Sequence, residues 1–420
     1  MKISISRRHR RSMIAITVQL VLIVPIVTYA QVKPDSVTVS KPDHDTCKQR
    51  DLIDVTAKLL KINLTEQEDT TDHKFNFNLL PLSTEVPGGG KALVTSVTAS
   101  FYLGKRNNTR LSEIWFVPYI DFDGRYGLPI RSYLWLKENK WILRGDMRIM
   151  QNPEYTWGLP KEGIYPDTGL LINKSFYRMY QNLLKEVHKN LFLGLGYNLD
   201  IHSQIKSATP GQSLNGYTGY PYGTAEGTTT VSSGLNLNLL YDTRSNSTNP
   251  DGGTYFDVEY RTNPVFLGSD SWWHSLYIDG RKYINFNRKK EKKNMLALWS
   301  YYWTAFGSNP PYFDLPAIGG ETFNTSGRGF QIGQIRAKSI FYLEAEYRRD
   351  ITRDGLLGFT VFSNINSAGS FNRELFRKWE VAAGLGLRIK LDKSSATNIS
   401  IDYAISKHYS GVYLTIGEFF

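Results

Sequence analysis

A chain of 420 residues with 50 Lys and Arg against 39 Asp and Glu carries a formal charge of +11. Its 41% hydrophobic content and mean hydropathy of −0.34 exclude a bundle of membrane helices. The positive charge comes with neither a basic helix nor an RNA-binding aromatic motif, which removes nucleic acid from the expected partners, and the single cysteine, Cys47, excludes an internal disulfide framework or a multi-cysteine metal site.

The chain opens with Arg7, Arg8, Arg10 and Arg11, then an apolar run from Met13 to Val27 and the short ending Thr28-Tyr29-Ala30. This pattern reads as a signal peptide over residues 1–30, since the run is too short for a membrane span and contains Pro25. Residues 31–72 are polar and read as a short periplasmic extension. Helical spacing of Leu52, Val55, Leu59 and Leu60 predicts one helix there, in a segment too small to bury a core of its own.

From residue 73 to 420 strand follows strand. Sixteen stretches alternate or carry strand-forming residues: 73–82, 91–104, 111–122, 126–138, 140–151, 167–182, 188–203, 228–242, 253–264, 273–285, 293–306, 337–349, 354–367, 378–391, 396–407 and 411–420. Many exceed ten residues, a length suited to tilted membrane strands rather than to soluble sheets. Leu191, Leu193, Leu195, Tyr197, Leu199 and Ile201 oppose Gly194, Gly196, Asn198, Asp200 and His202; Ile399, Ile401, Tyr403 and Ile405 oppose Ser400, Asp402 and Ala404. An oily face with no helical layer to cover it predicts lipid outside, and charges on the other face predict a polar lumen. The fold class expected is therefore all-β, a transmembrane antiparallel β-barrel of about sixteen strands occupying residues 73–420. The 26 Tyr, 21 Phe and 9 Trp suit its aromatic girdles.

Connection lengths orient the barrel. If the first strand runs outward, the longest connections, near 152–166, 204–227 and 307–336, all fall outside, and the inner turns are short, as in outer-membrane barrels. The third of these is the sixth outer loop, with Gly319, Gly320, Gly327, Arg328, Gly329 and Phe330. Arg328 is expected to fold back into the lumen and dock on the inner-wall acceptors Glu344, Glu346 and Asn364. Asp242 and Arg244 are expected to fix a periplasmic turn by mutual pairing, with partner docking as the alternative. Val412, Leu414, Ile416 and Phe420 share one face of the final stretch, interrupted at Glu418.

These residues resemble the BamA/TamA family of outer-membrane barrels, the bacterial surface antigen family. The resemblance rests on the Gly-Gly then Arg-Gly-Phe signature of the sixth loop, on the turn Tyr241-Asp242-Thr243-Arg244, and on Glu346-Tyr347-Arg348. It implies that Phe420 closes a C-terminal assembly signal, and that the chain is a barrel whose N-terminal extension leaves no room for POTRA domains. It also implies an acidic partner for the loop arginine on the thirteenth strand, where this sequence has Asn364.

No Gly-x-Ser-x-Gly elbow, His-Glu-x-x-His or Walker loop occurs, and the seven histidines are scattered; neither an enzyme activity, a cofactor nor a metal is expected. His202 reads as a solvated wall residue. The function implied by the resemblance is an accessory role in assembly, insertion or translocation of client outer-membrane or secreted proteins. It would act through a weak seam between Phe75–Leu80 and Tyr413–Phe420, with outer-membrane lipid, clients and other assembly components as partners. The alternative is a passive structural or diffusion barrel plugged by its loop.

Overall fold

The computed structural model describes residues 49–59, 76–85, 91–105, 108–121, 125–136, 138–160, 165–287, 292–370, 374–393 and 395–420. The expected leader, Cys47, Phe75 and the charged stretch 288–291 lie outside the described residues.

Eighteen strand segments form one antiparallel sheet. They are β1 (Asn76–Glu85), β2 (Lys91–Phe101), β3 (Ser112–Phe116), β4 (Tyr119–Asp121), β5 (Tyr126–Gly127), β6 (Ile130–Leu136), β7 (Trp141–Thr156), β8 (Leu170–His188) and β9 (Leu191–Ser207). There follow β10 (Thr230–Asp242), β11 (Gly253–Asn263), β12 (Trp273–Asn285), β13 (Asn294–Gly307), β14 (Ser339–Asp350), β15 (Leu357–Gly369), β16 (Glu380–Asp392), β17 (Thr397–Ser406) and β18 (Ser410–Ile416). From β7 onward each pairs with the next in chain order.

Two differences from the sequence expectation have local causes. Both β3 and β4 pair with β2, and both β5 and β6 pair with β7, so each couple holds the place of one strand. The interruptions contain Pro118 and Pro129, which lack the N–H a ladder needs. The second difference is the expected turn at 183–187, which is strand. Leu183 and Leu184 continue the alternation, and the chain reverses instead at Asn190, whose φ of 62° suits an amide side chain.

Apolar residues face out and polar residues face in, the reverse of a soluble protein. Leu195 and Leu385 are 66% and 63% exposed, whereas Asn236 and Asp402 are fully buried. Strands β7, β8 and β9, of 16, 19 and 17 residues, exceed the length of a single membrane crossing and carry the wall beyond it. Much of the lumen is packed. One aromatic cluster, including Trp299, Tyr301, Phe330, Tyr342 and Phe420, lines β13 and β14; another, including Leu170, Trp273, Tyr312 and Phe313, lies beneath the outer loops. A third, with Trp135, Phe192 and Leu240, lies near the inner turns.

The helix expected in the extension is present as α1 (Leu52–Leu59). Asp51 and Asp54 cap its first turn reciprocally, each accepting the other's backbone N–H at 2.8 and 3.2 Å. Leu52 packs with Leu391 and Ile399, so Ile399 is only 5% exposed although it stands on the same face of β17 as the exposed Tyr403 and Ile405. Lys393, in the turn after β16, pairs with Asp54 at 2.9 Å. The helix thus lies against the outer wall at the inner rim. No helix among the described residues is long and apolar enough to cross a membrane.

Candidate functional site

Residues 308–338, between β13 and β14, turn into the lumen instead of standing over it. Their neck is held first. The Arg336 guanidinium donates to the carbonyls of Tyr312, Phe313 and Leu315 at 3.2–3.4 Å and to Glu154 at 2.6 Å, and Lys174 holds the other Glu154 oxygen at 2.9 Å. Asp314 accepts from Ser232 at 2.6 Å and meets His202 Nε2 at 3.1 Å. His202 is therefore not a solvated wall residue. It is 3% exposed, stacked on Phe176 at 4.5 Å, and serves as a wall anchor for the loop.

Deeper in the lumen the loop makes a tight turn. Ser326 Oγ donates to Glu321 and accepts the Gly319 N–H at 3.1 Å, the Gly327 N–H donates to Tyr342 Oη at 3.0 Å, and the Gly329 N–H donates to Tyr413 Oη at 2.8 Å. Gly327 and Gly329 have φ of 78° and 97°. A methyl group at Gly329 would lie 2.6 Å from the Ala382 Cβ on β16, and one at Gly327 would lie 2.0 Å from Ile318 Cγ2. Both the backbone conformation and the space demand glycine. Gly329→Ala is expected to lift the loop tip off β16 and make the loop susceptible to added protease in folded, detergent-solubilised barrel. A loop as resistant as wild type would show that this fit is not required.

These glycines deliver Arg328, 1% exposed, to a cage of three carboxylates. Its guanidinium bonds Glu344 and Glu346 of β14 and Asp402 of β17, and its plane lies between aromatic rings, 3.5 Å from the Phe362 centroid and 4.4 Å from Phe419. The charge pattern extends sideways. Arg348 donates to Glu346 at 2.5 Å, and Arg388 bonds Asp402 and, at 2.7 Å, Glu418. Three guanidiniums and four carboxylates form one network on the wall of β14, β16 and β17. Buried charges are tolerated only when so paired.

Of the expected acceptors, Glu344 and Glu346 meet the guanidinium and Asn364 does not. Asn364 Nδ2 donates instead to the Arg328 backbone carbonyl at 2.9 Å, fixing the main chain while the carboxylates hold the charge. The acid that sequence reasoning missed as a partner is Asp402. Its inward parity on β17 was readable, but its reach across β15 and β16 follows only from the curvature of the wall.

Phe420 departs from the expected face. After Ile416 the chain leaves the sheet at Gly417, with φ of 98°, and residues 418–420 enter the lumen. Val412 is 68% exposed and Phe420 1%; the Phe420 ring packs on Trp299 at 5.2 Å, and its carbonyl accepts from Arg348 at 2.9 Å. Glu418, which interrupts the apolar alternation, does so because it turns inward to Arg388. The seam expected through Phe420 therefore ends at Ile416.

The Asp242–Arg244 turn is a bidentate pair, with Arg244 Nε and Nη2 on the two Asp242 oxygens at 3.0 and 2.9 Å. It is not an exposed docking loop. Both side chains are buried, Arg244 lies 4.2 Å over the Tyr255 ring, and Ser247 and Thr248 of the same turn bond Glu113 on β3. Asn246 and Asn249 donate to the carbonyls of Ser395 and Ala396. The turn consequently spans the inner mouth from β3 to the β16–β17 connection. Among the described residues no group of three His, Cys, Asp or Glu is arranged to hold a metal ion.

A family model described as the Omp85 superfamily domain matches residues 172–420, which include the whole folded-in loop and every residue of the Arg328 cage. The chain belongs to the Omp85 superfamily. It is accordingly a bacterial outer-membrane barrel. Among solved structures this Omp85 barrel is similar to CdiB from Acinetobacter baumannii, with 14% identity and a TM-score of 0.51 over 82% of this chain and 59% of that one. It is also similar to BamA from Haemophilus ducreyi lacking POTRA domains 1–3, with 12% identity and a TM-score of 0.49 over 82% of this chain and 69% of that one. The chain thus spans about three fifths of the CdiB chain that it matches. No curated protein matches it in sequence.

Proposed function

We propose that this Omp85 barrel has an accessory role in the assembly, insertion or export of other chains at the outer membrane. The observation that carries the reading is the Arg328 loop, anchored inside the lumen on β14 and β17. A barrel whose interior is filled by its own loop has its wall, rather than an open pore, available for work on other chains. The working edge on this reading is β18. It pairs with β17 over seven residues, against twelve between β14 and β15, before Gly417 carries the chain off the sheet. A short ladder leaves backbone groups to which a client strand can add, and β1 is the strand that the sequence sets opposite it. Client outer-membrane proteins, other assembly components and surrounding lipid are the partners this reading supplies.

The test is a disulfide between Asn78→Cys and Thr415→Cys. Clients should copurify from native membranes with the reduced protein and be lost from the locked one. Full client recovery by the locked barrel would defeat the seam mechanism. A passive structural barrel is the second reading, favoured by the turn 243–252 and residues 418–420 filling the inner mouth. Purified protein that never brings down a client, yet is needed for envelope integrity, would select it.

A further inference from the structure

Between the folded-in loop and the wall of β6–β12 lies a cavity of about 320 Å³, in the size range of small-ligand sites. Its charged side chains are mostly paired in the manner already described, and one corner is not. Arg148 on β7 and Arg178 on β8 sit directly opposite one another in the register, a like-charge pair that costs stability unless an anion compensates. Arg131 on β6 sits opposite Asp146, the carboxylate between them.

Asp146 cannot serve all three. Arg148 takes both of its oxygens at 2.8 and 2.7 Å, and Arg178 approaches one of them at 3.4 Å while turning its Nε to Asp200 at 2.8 Å. Asp200 in turn also holds Arg261 at 2.6 Å. The next acid towards Arg131 is Glu321 of the loop, whose oxygens accept from Ser326. The Arg131 side chain is left half-buried, lining the cavity, and its guanidinium makes no hydrogen bond or ion pair to any described residue. The wall around it adds ring surfaces, Tyr180 and Phe176 beneath Arg178 and Tyr255, Tyr277 and Trp303 opposite.

We infer that Arg131, Arg148 and Arg178 form an anion site under the folded-in loop, and that it takes a phosphate-bearing ligand of sugar size. Guanidinium forks match phosphate oxygens in pairs, and aromatic faces suit a ring carried beside the phosphate. The shared chemistry is the phosphate group, which a soluble phosphorylated compound or a lipid headgroup could present. The inference is independent of any role in client assembly.

Full-length barrel in a neutral detergent separates these cases. Inorganic phosphate and glucose 1-phosphate should each raise the temperature at which the folded band converts to the unfolded one on a gel, in a saturable manner. Phosphatidic acid added to the micelles, against phosphatidylcholine, tests the headgroup source. Arg131→Gln removes no bond present in the structure, so it should fold, and it should weaken half-saturation at least tenfold; Arg131→Lys should fall between. Without phosphate, Arg131→Gln should convert at the same temperature as wild type or higher, because a repulsive charge is gone. A shift with phosphatidic acid alone assigns the site to lipid. No shift with any probe, or an equal shift in wild type and Arg131→Gln, overturns the site.

Discussion

Arg328→Ala is expected to release the sixth loop from the lumen. The variant leaves Glu344, Glu346 and Asp402 facing two guanidiniums instead of three, and breaking a buried ion pair from one side costs about 3–5 kcal/mol because the remaining charge is stranded. The tip's other hydrogen bonds to the wall and to the chain end, from the Gly327 and Gly329 N–H groups and from Asn324 Nδ2, are ones that water can replace, so the loop should leave before the wall fails. Two readouts follow: the heat-induced conversion of the folded band should move to lower temperature, and cells should become sensitive to large antibiotics that the filled lumen excludes. Arg328→Lys should behave nearly as badly, since a single ammonium cannot span the carboxylates of β14 and β17 while lying between Phe362 and Phe419. Adding Glu344→Gln to Arg328→Ala should recover part of the loss. Unchanged conversion and unchanged antibiotic exclusion in Arg328→Ala would remove the plug.

The second large effect belongs to Phe420. An assembly signal acts on the unfolded chain, whereas the structure places this ring on Trp299 and beneath the loop. The two roles separate after refolding. A pure signal would leave Phe420→Ala as stable as wild type once folded in detergent. Loss of a buried phenyl group from a packed cluster should instead lower its stability by about 3–5 kcal/mol. Urea titration of refolded barrels measures this without involving cellular assembly, and a difference near zero would return Phe420 to the signal alone.

The sheet was legible because its alternation was written twice, as apolar residues outward and as charges inward. Arg388, Asp402 and Asn236 on inward parity are hard to place in any soluble sheet. The loop was legible from its glycines and from its position among the connections. What escaped were matters of reach. Asp402 meets Arg328 from two strands beyond β15, a distance that depends on wall curvature. Glu418 looked like a defect in an outward face because nothing in a period of two announces that Gly417 ends the strand. His202 looked wet because a lone histidine on a polar lumen wall usually is, and the Asp242–Arg244 pair because turns usually are, yet here the connections fold over the mouths and bury them. Arg131 gave no signal at all, since a half-buried charge is defined by partners that it lacks.

The meeting of Phe419 with Arg328 joins two pieces of chain that arrive by opposite routes. The loop tip descends from the outer side after β13, and residues 418–420 come in beside the inner rim after β18. Neither can find the other until the four intervening strands, β14 to β17, and β18 after them have taken their register, because those strands set the distance between the two. Asn324 Nδ2 seals the encounter by donating to the Phe419 carbonyl at 2.7 Å. A barrel with a slipped strand would place ring and guanidinium at different heights, leaving the arginine charged, buried and unmatched. The contact therefore depends on the register of every strand from β14 to β18, although none of them lies in it alone.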